Sequence, residues 1–193
     1  MRKSPLRVDF ESGLVEGARQ ISSPNHDDRP DHCVPELIVV HGISLPPGEF
    51  GGPWIDHLFT NRLDPHEHPY FREIVDAQVS SHLLIRRDGD VVQYVPLHKR
   101  AWHAGESCFG ERACCNDFSI GIELEGTDDL AYSDEQYDAL CQVVLGLRAA
   151  IPSLAGAPIV GHSDVAPGRK TDPGPAFDWN RLHRQLADAG VHA

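Results

Sequence analysis

Residues 118–126, FSIGIELEG, alternate between apolar side chains and glycine or glutamate. Ile120, Ile122 and Leu124 fall on one face of an extended chain, whereas Glu123 and its neighbours at 121 and 125 fall on the other. Successive side chains of a β-strand point to opposite faces of the sheet, so this pattern predicts a strand whose apolar face lies in the core. The strand also carries a glutamate at its centre, which an ordinary buried strand does not need.

Three further segments on either side have the character of strands. ELIVVHGIS (36–44) is a short β-branched apolar run that predicts a buried strand ending near His41. SHLLIRRDGDVVQYVP (81–96) contains two strand-like runs around Asp88-Gly89, a pair that favours a tight hairpin turn because both positions tolerate a positive φ. PIVGH (158–162) predicts another short strand, and the polar, proline-broken residues 21–35 predict an entry loop.

Helical signals lie between and after these strands. Ser133 and Gln136 resemble a capping box, and an apolar stripe follows, so we expect a helix from about Ser133 to Ala150. DWNRLHRQLADAG (178–190) predicts a closing helix, and shorter helical pieces are expected at 55–60 and 69–76. No repeat or linker divides the chain. Interleaved strands and helices predict a single α/β domain over residues 1–193, with a central mixed β-sheet flanked by helices.

Composition limits the partners and the location. The formal charge of −12 and the pI near 5.3 argue against nucleic acid or an anionic membrane as a partner, because both require a basic surface. The N-terminus has no signal-like apolar region and no run of 18 apolar residues occurs. Five cysteines is an odd number that fits free thiols in a reducing compartment. We therefore expect a cytoplasmic protein, and a monomer.

The most distinctive loop is GHSDVAPGRKTDPGP, residues 161–175, in which glycines and prolines predict a rigid irregular turn. His162 opens this loop at the carboxyl end of one expected strand, and His41 ends another. Ligands of open α/β sheets collect beyond those ends. Together with Asp172, the two imidazoles would suit a catalytic Zn²⁺ that keeps a fourth position for water. A core histidine and a helix-capping aspartate remain alternatives on spacing alone.

Two more residues are candidates for catalysis. Glu123 must find a partner or lose solvation if its strand is buried, and either outcome shifts its pKa. The alternative is a solvated outer face, which the neighbouring Glu125 favours. Lys170, two residues before Asp172, could stabilise a developing oxyanion, or it could be an ordinary surface lysine.

Long strings of the sequence resemble one family. LIVVHGISLPPGEFGGPW, SHLLIRRDGDVVQYVP, RAWHAGES, CNDFSIGIELEGTD and GHSDVAPGRKTDPGPAFDW are together similar to the zinc N-acetylmuramoyl-L-alanine amidases, and most of all to their AmpD type. The similarity runs from about residue 20 to residue 181. It implies an amidase/peptidoglycan-recognition-like fold and hydrolysis of the amide between (1,6-anhydro-)N-acetylmuramic acid and L-alanine in cell-wall recycling. A small anhydro-muramyl peptide would be the substrate and Zn²⁺ the cofactor.

The resemblance also implies roles for particular residues. The zinc ligands of the family fall on His41, His162 and Asp172, its catalytic glutamate on Glu123 and its loop lysine on Lys170. An aspartate at 172 matches the AmpD type, whereas related phage amidases carry cysteine there. Substrate-binding candidates are Trp102, His103, Asn116 and Arg169, with core packing as the alternative for Trp102.

Some positions depart from the expected family pattern. Gly42 stands where asparagine is expected, and Gln78 and Cys114 stand where basic residues are expected. Recognition of the peptide stem could therefore differ, with Arg112 or Arg169 as substitutes for the missing charge. A binding module without hydrolysis is the alternative function. We expect such a module to have lost one of the five ligand or catalytic residues, and none is lost here.

Overall fold

The computed structural model describes residues 6–9 and 11–190, so the ends of the expected 1–193 domain lie outside the described residues. The strands in this part of the chain are β1 Val8–Asp9, β2 Leu14–Val15, β3 Arg19–Gln20, β4 His26–Asp28, β5 Leu37–Ile43, β6 Leu83–Ile85, β7 Val91–Gln93, β8 Lys99–Ala101, β9 Cys108–Phe109, β10 Arg112–Ala113, β11 Ser119–Glu125 and β12 Ile159–Gly161. The α-helices are α1 Trp54–Phe59, α2 Phe71–Ile74, α3 Asp134–Ala150, α4 His162–Val165 and α5 Trp179–Gly190, and two 3₁₀ helices span Cys115–Asp117 and Pro152–Leu154.

One six-stranded sheet organises the molecule, in the order β12-β5-β11-β6-β7-β3. Its first four strands are parallel, β6 and β7 are antiparallel, and β3 joins β7 in parallel, so the predicted mixed sheet is confirmed. Every residue of β11 is buried. Its apolar face packs with α3 and α5 in the largest hydrophobic cluster, which includes Ile120, Ile122 and Leu124.

The opposite face of the sheet carries the polar groups. In the parallel pairing of β11 with β5, Glu123 lies directly beside His41. Below them, Leu37 and Val39 pack with Phe118 and Val165 in a smaller cluster that seals this face. The sheet therefore presents one histidine and one glutamate side by side above an apolar floor.

Several local predictions are confirmed. Strand β5 runs two residues past His41 to Ile43, and β12 ends at Gly161, directly before His162. Helix α3 begins after Ser133. The Ser133 hydroxyl accepts the backbone N–H of Gln136, and the side-chain oxygen of Gln136 accepts the backbone N–H of Ser133. The capping box and the hairpin at 81–96 both form where the sequence placed them.

Other predictions need correction. The entry loop at 21–35 contains β4, which pairs with β8, and Asp27 and Asp28 form ion pairs with Arg100 and Lys99 across this ladder. The hairpin turn is not a two-residue type with two positive φ values, since only Gly89 has one, at 84°, and the connection spans residues 86–90. The loop at 161–175 begins with a helical turn, α4, rather than with irregular chain.

All five cysteines are free thiols. No helix within residues 6–9 and 11–190 combines the length and apolar character that crossing a bilayer requires.

Candidate metal centre

Three side chains, one from β5 and two from residues 161–175, converge at the carboxyl ends of β5 and β12. His41 Nδ1 lies 3.0 Å from His162 Nδ1 and 3.3 Å from Asp172 Oδ2. His162 Nδ1 lies 3.1 Å from the same carboxylate oxygen. One ligand atom of each residue falls within 4.8 Å of the others, which makes them a group able to hold a metal ion. Strand β5 positions His41, α4 positions His162, and the glycine- and proline-rich loop positions Asp172.

The hydrogen bonds of these residues favour a cation between them. His162 Nε2 lies 3.2 Å from the carbonyl oxygen of Ala104, which can only accept, so Nε2 carries the proton. In the neutral ring, Nδ1 is then a lone pair that faces the carboxylate of Asp172. Lone pairs directed at each other repel, and a bound cation converts that repulsion into coordination. The donor set therefore fits a divalent metal that prefers nitrogen and oxygen ligands.

Burial sets the charge of the ligands. Burial lowers the pKa of His41 to about 4, so its ring is neutral and able to ligate at neutral pH. Burial opposes the ionisation of Asp172, but the positive charge of a ring proton on His162 or His41 facing the carboxylate outweighs that effect and holds the pKa of the carboxyl well below the usual range, as a bound cation in the same place would. The site thus combines neutral imidazole with an ionised carboxylate, the state in which each binds metal.

Glu123 is a buried carboxylate without a partner for one of its oxygens. It is 8% exposed, and its Oε2 has no hydrogen bond within the described part of the chain. Burial and the nearby Asp172 raise the pKa of Glu123 well above its ordinary value, with Lys170 acting in the opposite direction. The alternative of a solvated outer face is wrong for Glu123 and also for Glu125, which is 1% exposed.

Glu125 shows what a structural carboxylate on the same face looks like. Its Oε1 accepts from Arg86 at 3.1 Å and from the Gly51 N–H at 2.7 Å, and its Oε2 accepts from the Arg87 N–H. These bonds tie the glycine-rich loop to the sheet. Glu123, two residues earlier, is left available for chemistry because no such network neutralises it.

The metal candidates open into a cleft of about 600 Å³ that also contains Glu123 and Lys170. The side chain of Lys170 is exposed and forms no hydrogen bond or ion pair among the residues the structure describes. One wall of the cleft is apolar and comes from α1, α2 and the residues on either side of α2: Leu58, Phe59, Tyr70, Ile74, Ala77 and Val79. The helical pieces expected at 55–60 and 69–76 do form as α1 and α2, but pieces this short gave no signal that they line a cleft.

The four substrate-binding candidates occupy different places. Arg169 lines the cleft, and its guanidinium donates to the carbonyls of Ala104 and Glu106. His103 is 8% exposed at the base of the cleft, with Nδ1 2.9 Å from His41 Nε2. Asn116 is half-buried and its side-chain oxygen accepts the N–H groups of residues 103 and 104. Trp102 is half-buried and donates its indole N–H to Asp27.

The structure also accounts for the glycine at position 42. The backbone N–H of Gly42 lies 3.4 Å from Asp172 Oδ2, and a Cβ at Gly42 would lie 2.5 Å from the Tyr132 hydroxyl. That hydroxyl donates to the carbonyl of Pro173, so Tyr132 fills the space of a side chain at 42 and holds the loop that carries Asp172. Of the two possible substitute cations, Arg112 is paired with Glu36, whereas Arg169 faces the cleft.

Known proteins share this architecture. A model of the N-acetylmuramoyl-L-alanine amidase family matches residues 31–175. The chain is 61% identical to the 1,6-anhydro-N-acetylmuramyl-L-alanine amidase AmpD of Escherichia coli K12 over 173 residues, 90% of this chain and 94% of that protein. A crystal structure of a selenomethionine AmpD derivative superposes with a TM-score of 0.89 at 57% identity, covering 93% of this chain and 98% of the other.

A more distant structure includes a ligand. It is the E. coli amidase AmiD in complex with the substrate anhydro-N-acetylmuramic acid-L-Ala-D-γ-Glu-L-Lys, with a TM-score of 0.54 and 27% identity. The alignment covers 92% of this chain and 65% of that one.

Proposed function

Because this chain belongs to the N-acetylmuramoyl-L-alanine amidase family, we propose that one Zn²⁺, held by His41, His162 and Asp172, supports its amide hydrolysis. The bond cleaved joins 1,6-anhydro-N-acetylmuramic acid to L-alanine in the muropeptides of cell-wall recycling, as in its AmpD relatives. The observation that carries the proposal is the convergence of three lone-pair donors beside a buried glutamate with an unpaired oxygen.

Zinc fits the ligand types better than magnesium or calcium do. Two imidazole nitrogens and one carboxylate oxygen are ligands of catalytic zinc sites, whereas the harder cations take mainly oxygen. When bound, Zn²⁺ supplies Lewis acidity, which lowers the pKa of water and polarises the scissile carbonyl. The three ligands leave a side open toward the cleft, because His41, His162 and Asp172 all line it.

Glu123 acts as the proton carrier. Its carboxylate accepts a proton from the attacking water and then delivers that proton to the departing alanine nitrogen. The second transfer is needed because an amide anion is a poor leaving group. A carboxyl whose pKa is raised by burial can hold the proton between the two transfers, and Glu123 lines the cleft.

Lys170 stabilises the negative charge that develops on the carbonyl oxygen. Lys170 lines the same cleft as Glu123, and its side chain forms no salt bridge within the described residues. A cation close to a developing oxyanion lowers the barrier to attack. In this scheme Lys170 contacts the substrate oxygen and takes no part in proton transfer.

The cleft accommodates a small amphipathic ligand. Its apolar wall suits the sugar and its acetyl group, while Arg169 offers a cation to a carboxylate of the peptide stem. We assign Arg169 the most direct substrate role of the four candidates. Asn116 and His103 shape the site from beneath, and Trp102 acts indirectly, because its backbone N–H donates to Ser80, which lines the cleft.

The cytoplasm is the proposed location, and the enzyme is proposed to be a monomer that binds neither nucleic acid nor membrane. Its AmpD relatives are amidases of 1,6-anhydro-N-acetylmuramyl-L-alanine, a small polar compound. Five free thiols fit a reducing compartment, and the charge of −12 disfavours polyanionic partners.

The test is direct. Purified protein with measured zinc content is incubated with anhydro-muramyl tripeptide, with and without a chelator, and the products are followed by mass spectrometry. We expect release of a peptide that begins with L-alanine, loss of that release with chelator, and recovery on adding Zn²⁺. If the substrate stays intact although stoichiometric zinc is bound, the proposed hydrolytic activity is contradicted and a muropeptide-binding module is favoured. If the chelator leaves turnover unchanged, the proposed requirement for zinc is contradicted.

A further inference from the structure

A chain of buried hydrogen bonds lies behind the metal ligand His41. His41 Nε2 is 2.9 Å from His103 Nδ1, and His103 Nε2 is 3.1 Å from Ser119 Oγ. The Ser119 hydroxyl in turn is 2.6 Å from the carbonyl oxygen of Cys115. His41, His103 and Ser119 are 1%, 8% and 0% exposed, so water does not supply these partners.

The carbonyl at the end sets the direction of every bond in the chain. A carbonyl oxygen can only accept, so the single hydroxyl proton of Ser119 points at Cys115. Ser119 Oγ must then accept from His103, which places the ring proton of a neutral His103 on Nε2. His103 Nδ1 is left as an acceptor, and it takes the Nε2–H of His41. The tautomer that results exposes the lone pair of His41 Nδ1 toward His162 and Asp172.

The surroundings are shaped to hold the His103 ring in this place. A Cβ on residue 121 would lie 2.5 Å from His103 Cγ, so only glycine leaves room for the ring above β11. The side-chain oxygen of Asn116 accepts the backbone N–H of both His103 and Ala104. Since the Ala104 carbonyl accepts from His162 Nε2, the same short segment orients both imidazoles of the site.

We propose that His103 and Ser119 are positioning residues that fix His41 in the Nε2–H tautomer and so present Nδ1 to the metal. This inference rests on the proposed zinc site and adds two residues that never touch the ion. Outer partners of metal-bound histidines usually contribute about 10- to 100-fold to metal affinity. Loss of the chain therefore weakens zinc binding before any substrate is involved.

The first test compares Ser119→Ala with Ser23→Ala. Ser23 is a matched control because it is 1% exposed, donates to the Phe59 carbonyl and accepts a backbone N–H, yet contacts neither histidine. Zinc dissociation constants of the apoproteins are measured by competition with a chromophoric chelator. We expect roughly tenfold or greater weakening for Ser119→Ala and less than twofold for Ser23→Ala. Equal affinities for the two variants would overturn the proposal.

The second test isolates the acceptor on His103. In His103→Asn the amide oxygen takes the place of Nδ1 and still accepts from His41, whereas the similarly sized His103→Leu offers no acceptor. We expect His103→Leu to bind zinc more weakly than His103→Asn by roughly tenfold. Circular dichroism and thermal melts select variants that are folded. Equal zinc affinities for the two folded variants would contradict an orienting role.

A spectroscopic measurement reports the tautomer itself. Long-range ¹H–¹⁵N spectra of the zinc-free protein distinguish Nε2–H from Nδ1–H imidazoles. We expect His41 to be the Nε2–H tautomer in the wild type and a mixture of tautomers in Ser119→Ala. The same single His41 tautomer in both proteins would overturn the proposal. If the wild type itself binds no Zn²⁺, the proposed function fails instead, which separates the two conclusions.

Discussion

At the scale of single residues, the two glutamates of β11 show how environment assigns a role. Glu125 is neutralised by Arg86 and two backbone N–H groups, whereas Glu123 keeps an oxygen without a partner. Both are buried on the same face of the same strand. The difference predicts that one carboxylate supports the fold and the other supports catalysis.

Replacement of Glu123 by glutamine tests this assignment. Glutamine keeps the shape but cannot carry a proton, so Glu123→Gln should retain zinc and lower kcat by roughly 10²- to 10⁴-fold. The matched variant is Glu125→Gln, which should lower the thermal midpoint and leave turnover of the folded enzyme near wild type. Initial rates on anhydro-muramyl tripeptide and zinc content decide the matter. Near-normal turnover of Glu123→Gln would remove it from the proton path.

His82 predicts how acid affects stability. Its Nδ1 accepts the Gly121 N–H, its Nε2 donates to the Lys99 carbonyl, and Arg29 lies 3.2 Å from Nε2. Burial, reinforced by Arg29, lowers the pKa of His82 to about 3. His82 takes up a proton near pH 6.5 in the unfolded chain but stays neutral there in the folded chain. The contribution of the neutral His82 to folding stability is therefore present above pH 6.5 and is lost as pH falls toward 3.

The variant His82→Asn isolates that effect, since asparagine can accept the Gly121 N–H without titrating. Urea unfolding in the presence of chelator should show wild-type stability falling between pH 6.5 and 4.5 more steeply than the variant. The extra slope is at most about 1.4 kcal/mol per pH unit, the value for one proton. Parallel curves for the two proteins would mean that His82 is protonated in the folded state.

At the scale of elements, the start of α3 joins a local signal to the tertiary structure. Ser133 caps the helix and donates to the Arg87 carbonyl, while Gln136, 0% exposed, donates to the carbonyls of Ile85 and Glu125. The capping box thus fastens α3 to the ends of β6 and β11. Removal of this capping box should lower the free energy of unfolding by more than removal of a cap from an isolated helix does.

Ser133→Ala should lower the free energy of unfolding by about 1–2 kcal/mol, at the upper end for a lost cap. Glu135→Ala, at an exposed position in the same helical turn, should change it by less than about 0.5 kcal/mol. Denaturant titrations of both variants give the comparison. If Ser133→Ala were as stable as Glu135→Ala, the bonds to residue 87 and to the helix would be dispensable.

The elements that the sequence predicts are those with strong local signals. Alternation identified β11, the β-branched run identified β5, and Ser133 with Gln136 identified the beginning of α3. The three-residue strand β4 was missed because its stability comes from pairing with β8, about 70 residues away. The alignment of Glu123 beside His41 was equally inaccessible, since register between two parallel strands is set by the whole sheet.

The site divides in the same way. The spacing of His41, His162 and Asp172 did not distinguish a metal site from a core histidine and a helix-capping aspartate. The resemblance of long strings to one family favoured the metal site. Ser119 and Gly121 gave no signal, because a serine and a glycine in a buried strand have many ordinary explanations. Only their contacts with the His103 ring reveal what they do.

At the scale of the whole molecule, a bound ion would act as a cross-link. His41 and His162 are separated by 121 residues, and Asp172 follows ten residues later in a loop outside the sheet. An ion that binds the folded chain and not the unfolded one stabilises it by about 2.7 kcal/mol at a free concentration of 100 times Kd. For a chain of this size, that corresponds to a rise of roughly 5–10 °C in Tm.

Thermal melts with excess Zn²⁺ and with chelator should therefore differ by that amount for the wild type. Asp172→Ala removes one of the three ligands and leaves the two imidazoles facing each other, so its zinc-dependent shift should largely vanish along with its activity. Asp129→Ala, an exposed aspartate in the loop before α3, is the control and should keep the full shift. A wild-type Tm indifferent to zinc would mean that the ion does not join the strand to the loop. An Asp172→Ala protein that retained the shift would place the third ligand elsewhere.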